Sequence, residues 1–162
     1  MRDDKLHITD EYIWLPELHV LPVTIRLQVR FGKKSDEFLP CFSANRVEWG
    51  EGECDALSWY LSPHRHDFTF RTNLFEGFPE VKRFQKGKKA ALNRDYQMTC
   101  TIRETNATYW IDGKRYARAT YAAGTVPREG YLGFAIFEPE DITVWDIQVA
   151  PAKAPRSRAR QP

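Results

Sequence analysis

Cysteine, methionine and histidine are scarce in this chain, at three, two and four of 162 residues. Cys41, Cys54 and Cys100 are odd in number and no pair has metal-site spacing, so they read as reduced thiols. Long apolar runs are missing as well. Nothing resembling a signal-peptide core follows Met1-Arg2-Asp3-Asp4-Lys5, and no stretch is long enough to cross a membrane. These absences predict a cytoplasmic protein with no membrane partner. A strong charge of one sign is missing too: the net charge is +2, and Lys153, Arg156, Arg158 and Arg160 in the acid-free segment 151–162 more than account for it. The remaining residues set 20 Lys and Arg against 22 Asp and Glu. A slightly acidic body predicts no nucleic-acid partner, and a tail of four cations gives only salt-sensitive attraction.

Helical periodicity is nearly absent. Only Val81 to Lys89 has room for a short helix, and its basic run (Lys82, Arg83, Lys86, Lys88, Lys89) reads equally as a solvated surface loop. Aromatic residues, by contrast, are abundant: five Trp, seven Tyr and ten Phe suit a β-sandwich core and also supply binding platforms.

The dominant period is two. Val23, Ile25, Leu27, Val29 and Phe31 alternate with Thr24, Arg26, Gln28 and Arg30, and Tyr96 to Arg103 alternates in the same way. Ala107 to Ile111 and Lys114 to Ala117 flank Asp112-Gly113, a hairpin signal because glycine supplies positive φ at little cost. Pro127 to Gly130 reads as a further turn, followed by strands at Tyr131 to Phe137 and Ile142 to Val149, so 96–149 reads as an antiparallel meander. Earlier strands are expected at Leu6 to Ile8, Tyr12 to Leu15, Leu39 to Ala44, Arg46 to Trp49, Ala56 to Leu61 and His64 to Thr72. Pro16 and Pro22 break the segment beside the first two of these and suit edge positions. Residues 1–150 therefore read as one all-β antiparallel sandwich, and 151–162 as a disordered basic tail.

Tyr109-Trp110-Ile111-Asp112-Gly113, Glu129-Gly130-Tyr131-Leu132-Gly133-Phe134 and Ile142-Thr143-Val144-Trp145-Asp146-Ile147 together resemble the closing half of a concanavalin A-like lectin/glucanase domain. The resemblance covers about a third of the chain well, and 6–31 fits the opening strands more loosely. It implies a jelly roll of two curved sheets, with a ligand site on the concave sheet, and it implies no particular activity. The alternating acidic strand of family 16 glucanases is not matched, since Glu51-Gly52-Glu53-Cys54-Asp55 lies in a glycine-rich turn. The Arg, Gln-x-His and Tyr motifs of alginate-lyase-type enzymes are absent, and no lectin calcium site can be traced.

Three groups of residues could carry chemistry. His64-Arg65-His66-Asp67 would put two imidazoles on one strand face about 6–7 Å apart, able to move a proton near neutral pH or to share a metal with a third residue. Packing of both rings beside Phe68 and Phe70 explains the same pattern without function. Glu51, Glu53 and Asp55 have the composition of a glycosidase carboxylate set, and equally that of a solvated acidic turn. Finally, Arg26, Gln28 and Arg30 form one polar row, Arg65, Asp67 and Arg71 another. With Trp49, Trp59 or Tyr60 nearby, these rows could hold an anionic or hydroxyl-rich ligand, although solvated sheet faces have the same composition.

The function expected first is recognition of a saccharide, or another small polar or aromatic molecule, by Arg26, Gln28, Arg30, Trp49, Trp59, Arg65 and Arg71. An enzyme on the same scaffold (a lyase, isomerase or hydrolase) is the alternative, with His64 or His66 as acid/base, assisted by Asp67 or Tyr60 and by an arginine. A protein-interaction module is the third reading. No cofactor and no metal are expected, and the sequence leaves the oligomeric state open.

Overall fold

The computed structural model describes residues 5–8, 12–33, 38–46, 56–59, 68–72, 80–84, 90–135 and 141–152. Among them are the strands β1 (Leu6–Ile8), β2 (Tyr12–Val20), β3 (Val23–Phe31), β4 (Leu39–Ser43), β5 (Ala56–Trp59), β6 (Phe68–Thr72), β7 (Glu80–Phe84), β8 (Asp95–Ile102), β9 (Asn106–Ile111), β10 (Lys114–Thr120), β11 (Glu129–Ala135) and β12 (Ile142–Pro151). Antiparallel pairing assembles two six-stranded sheets. The first runs β1-β12-β3-β8-β9-β10 and the second β2-β11-β4-β5-β6-β7. The expected all-β jelly-roll sandwich is the observed fold.

The core is built outward from β3. Its inward row, Val23, Ile25, Leu27, Val29 and Phe31, is at most 2% exposed, and the intervening residues face water or lie half-buried. β8 adds Tyr96, Met98, Cys100 and Ile102 to the same side, and β9 adds Ala107, Tyr109 and Ile111. Phe42, Leu57, Leu132 and Phe134 answer from the second sheet. Phe38 stacks on Phe134 at 5.6 Å and meets Phe31 edge-on at 6.4 Å, so one ring cluster joins the two sheets. Period-two patterning requires this arrangement, because each sheet leaves one apolar face that only the other can cover.

Two local devices set the register of the first sheet. Asp112 and Gly113 both have positive φ, at 50° and 72°, as a two-residue hairpin turn between β9 and β10 demands. The Asp112 carboxylate also accepts the Gln97 amide at 3.0 Å and pairs with Arg94 at 2.7 Å. On β12 the register against β3 shifts between Trp145 and Gln148, with Asp146 at φ 51°. The extra residue changes the parity of the strand. Ile142 and Val144 face inward before the bulge, and Ile147 and Val149 pack against the core after it.

Several sequence expectations are corrected. Residues 96–149 do not form one meander: β8, β9 and β10 are consecutive neighbours, but β11 crosses to the second sheet between β2 and β4, and β12 returns to the first. No helix occupies the start of 81–89. Glu80–Phe84 is strand β7, paired with β6 through Phe68 and Phe84, because the ladder supplied by β6 outweighs a weak local preference. Its lysine and arginine suit an edge strand, where charge discourages further pairing. β2 continues through Pro16 as one strand, with its register against β11 shifting there between Trp14 and Leu18, and the edge position tolerates the proline. Arg46 begins no strand, and 47–49 lie outside the described residues.

Adjacent positions on β3 should respond oppositely to truncation. Leu27→Ala removes buried core and is expected to cost about 2–5 kcal/mol, whereas Arg26→Ala should stay within about 0.5 kcal/mol. Urea denaturation of the two variants tests the alternation directly, and equal losses would contradict it.

Candidate functional site

His64, Arg65, His66, Asp67, Tyr60 and Trp49 lie outside the described residues, as do Glu51, Glu53 and Asp55. Among the described residues no group of three or more His, Cys, Asp or Glu is placed to hold a metal. The remaining expected ligand residues are divided between the two sheets. Arg26, Gln28 and Arg30 belong to β3 in the first sheet, and Trp59 and Arg71 to β5 and β6 in the second. Trp59 is the register partner of Phe70, and Arg71 that of Ser58. One continuous platform of these five residues is therefore ruled out by the topology. Sequence alternation shows which residues share a strand face, but it cannot show which sheet a strand joins.

On the second sheet, the outer face over β2, β11 and β4 is closed by its own side chains. Trp14 lies across Gly133 so tightly that a Cβ there would come within 2.4 Å of the indole ring. The Arg46 guanidinium covers the Tyr131 ring at 4.2 Å and donates to the Pro16 carbonyl. Cys41 and Ser43 are fully buried although they alternate with the core residue Phe42.

The outer face of the first sheet differs. Cross-strand register aligns Gln148, Arg26, Thr99, Trp110 and Arg115 as one row over five strands. Beside it lie Trp145, Gln28 and Gln97, then Thr143, Arg30 and Asp95. On the other flank, Thr24 and Thr101 share a hydroxyl hydrogen bond at 3.0 Å, and Thr108 and Arg118 follow. Arg26, Arg115 and Arg118 are exposed, while Gln28, Gln97, Thr99, Trp110 and Trp145 are half-buried. Three strand steps across and one row along separate Trp145 from Trp110 by about 16 Å, and amide, hydroxyl and guanidinium groups fill the interval. Such a face can stack a ring and donate several directed hydrogen bonds.

The sequence reading identified Arg26, Gln28 and Arg30 but missed Gln97, Thr99, Trp110 and Trp145. Trp110 reads as hairpin packing when its neighbours Tyr109 and Tyr116 are counted with it. The signal was parity: Trp110 alternates with the buried residues Tyr109 and Ile111 and so must face outward. Trp145 is obscured by the bulge that follows it.

At one margin Arg30 Nε donates to Asp95 Oδ1 at 2.5 Å, and both groups are about half exposed. Arg30 and Lys5 also approach the Trp145 ring, at 5.8 and 5.7 Å. The hydrogen bond to Arg30 holds the Asp95 carboxyl below its ordinary value. Inside the sandwich the cross-strand partners Cys100 and Tyr109 are both raised, chiefly by burial, which leaves the thiol protonated and unreactive.

A second concavity, of about 400 Å³, lies between β2 and β12 and is lined by Leu15, Pro16, Glu17, His19, Ile147 and Val149. It is mostly apolar. Nothing in it matches an expected site residue.

The Arg30–Asp95 contact has a pH signature. A depressed folded-state pKa contributes stability that is complete above the ordinary carboxylate value, near about pH 4, and is lost as pH falls through the folded value. Carbon-detected NMR titration should find Asp95 below an ordinary aspartate, and Arg30→Ala should move its midpoint upward. An unchanged midpoint would mean that the ion pair does not persist in solution.

Neither a family model nor a curated relative matches the sequence. Solved structures do match the fold. The carbohydrate-binding module CBM66 from Bacillus subtilis superposes with a TM-score of 0.65 at 9% identity, over 87% of this chain and 81% of its own. A galectin, LEC-6 of Caenorhabditis elegans, gives 0.62 at 10% identity, over 93% and 98%. A Bacillus subtilis protein of unknown function with a galectin-like fold gives 0.69 at 14%, over 91% and 82%. At these identities the likeness concerns architecture: the chain has the galectin-like jelly roll of the concanavalin A-like lectin/glucanase fold.

Proposed function

We propose that this chain is a saccharide-recognition module that binds on the outer face of its first sheet. The observation that carries the reading is the cross-strand row Arg26–Thr99–Trp110, with Gln28 and Gln97 beside it. A pyranose offers an apolar C–H face and a rim of hydroxyls. Trp110 would take the face, and Arg26, Gln28, Gln97 and Thr99 would take hydroxyls through charge-assisted and neutral hydrogen bonds. The face is open, whereas side chains of the second sheet fill its own outer face over β2, β11 and β4. The carbohydrate-binding module and the galectin among the solved structures support the reading at the level of fold.

Binding without catalysis is the form of the reading that these groups support. Arginine stays protonated and amides do not titrate, so the row can hold a ligand but contains no group to exchange a proton near neutral pH.

A glycan array probed with the full chain, followed by calorimetry on the best hit, tests the proposal. Trp110→Ala and Arg26→Ala should each weaken binding about tenfold or more, equivalent to about 1.4 kcal/mol, while His64→Ala and His66→Ala should leave it unchanged. Binding lost with Trp59→Ala or Arg71→Ala and kept with Trp110→Ala would move the site to the second sheet and overturn the assignment. Turnover abolished by His64→Ala would replace it with an enzyme.

A further inference from the structure

The charge on this outer face is uneven in a way that hydroxyl recognition alone does not require. Arg26, Arg115 and Arg118 project from β3 and β10, all exposed and none with an ion-pair partner among the described residues. Three carboxylates among the described residues lie close to this face, and one of them, Asp112, accepts the Gln97 amide and pairs with Arg94 at 2.7 Å. Asp95 is neutralised by Arg30 at 2.5 Å, and Asp146, at the β12 bulge, accepts a hydrogen bond from Gln148 at 2.7 Å. From β3 to the edge strand β10 the face therefore offers three guanidinium groups without an ion-pair partner among the described residues.

Their placement is ordered. Arg26 and Arg115 are three strand steps apart in the same row, about 14 Å, with Thr99 and Trp110 between them. Arg118 follows along β10, opposite Thr108. An exposed arginine gains most from an acceptor that matches its planar fork, and carboxylate and sulfate oxygens both do so. Resting on the saccharide reading above, we infer that the ligand is an acidic glycan, whose carboxylate or sulfate groups pair with Arg26, Arg115 and Arg118 while one of its rings lies on Trp110. Gln28, Gln97 and Thr99 distinguish this ligand from an unspecific polyanion. They occupy positions beside the cations, where a chain rich in hydroxyls can satisfy them and a polypeptide or phosphodiester chain would leave them to water.

The test uses the full chain and matched probes: an oligogalacturonate, its methyl ester, and polyglutamate of similar length. Calorimetry should show binding to the oligogalacturonate, with affinity falling as salt rises from about 0.05 to 0.5 M. Loss should be about tenfold or more for the methyl ester and for the triple variant Arg26→Gln, Arg115→Gln, Arg118→Gln. Trp110→Ala should weaken it as well. Substituting Lys153, Arg156, Arg158 and Arg160 by Ala should leave it intact, which separates the sheet from the basic tail. A sulfated dextran compared with plain dextran extends the same test to sulfate.

Equal affinity for acid and ester, indifferent to the triple variant, would overturn the acidic-glycan inference and leave saccharide recognition standing. Equal affinity for polyglutamate, insensitive to Trp110→Ala, would also overturn it and identify simple polyanion attraction. If neither these probes nor any neutral sugar on the array binds, both the inference and the reading beneath it fail.

Discussion

Val23, Ile25, Leu27, Val29 and Phe31 fill the interior from a single strand, and the rest of the sandwich depends on that row staying inside. β3 has neighbours on both sides, so its pleat is imposed on β12 and β8 and, through β8, on β9 and β10. A slip of one residue would bury Arg26 and Arg30 and expose the whole apolar row, a change that no local preference could offset. The same constraint creates the candidate site. Once the odd-numbered residues of β3 are fixed inside, Arg26 and Gln28 must stand outside, and register then brings Thr99, Gln97 and Trp110 beside them.

The two outer faces of the sandwich are treated differently by their own side chains. Trp14, Arg46 and Tyr131 roof the second sheet over β2, β11 and β4, and Gly133 has no side chain because the indole occupies the space a Cβ would need. The first sheet carries threonines, glutamines and arginines on its outer face, with Arg30 approaching the Trp145 ring at one margin. Solvated sheet faces often look like this. What sets this one apart is its two half-buried tryptophans and the arginines Arg26, Arg115 and Arg118, which have no ion-pair partner among the described residues, a composition that keeps hydrogen-bonding groups and aromatic surface available together.

Much of the fold was legible in sequence because alternation is a direct consequence of strand geometry. β3, β8 and the Asp112-Gly113 turn could be read residue by residue, and the aromatic and glycine pattern from Tyr109 to Ile147 pointed to the jelly roll. Sheet membership was not legible. Nothing local in Tyr131-Leu132-Gly133-Phe134 states that β11 leaves its sequence neighbours to lie between β2 and β4, and nothing in the arginine rows states that Arg26 and Arg71 belong to different sheets. The bulge at Asp146 was hidden for a similar reason, since one inserted residue leaves composition unchanged while reversing which side chains face the core. β7 was mistaken for a possible helix because its basic run has no strong period and its structure comes from pairing with β6. Arg26, Gln28 and Arg30 of the polar face were therefore visible on β3 alone, and Gln97, Thr99, Trp110 and Trp145 came into view only with the register.

The most direct test of the account follows the five tryptophan indole N–H signals by two-dimensional NMR while an acidic oligosaccharide is added. Trp110 and Trp145 should shift together and saturably, with Trp14, packed against Gly133 on the other sheet, unmoved. Shifts confined to Trp59, with Trp110 and Trp145 silent, would contradict the account and transfer recognition to the other sheet.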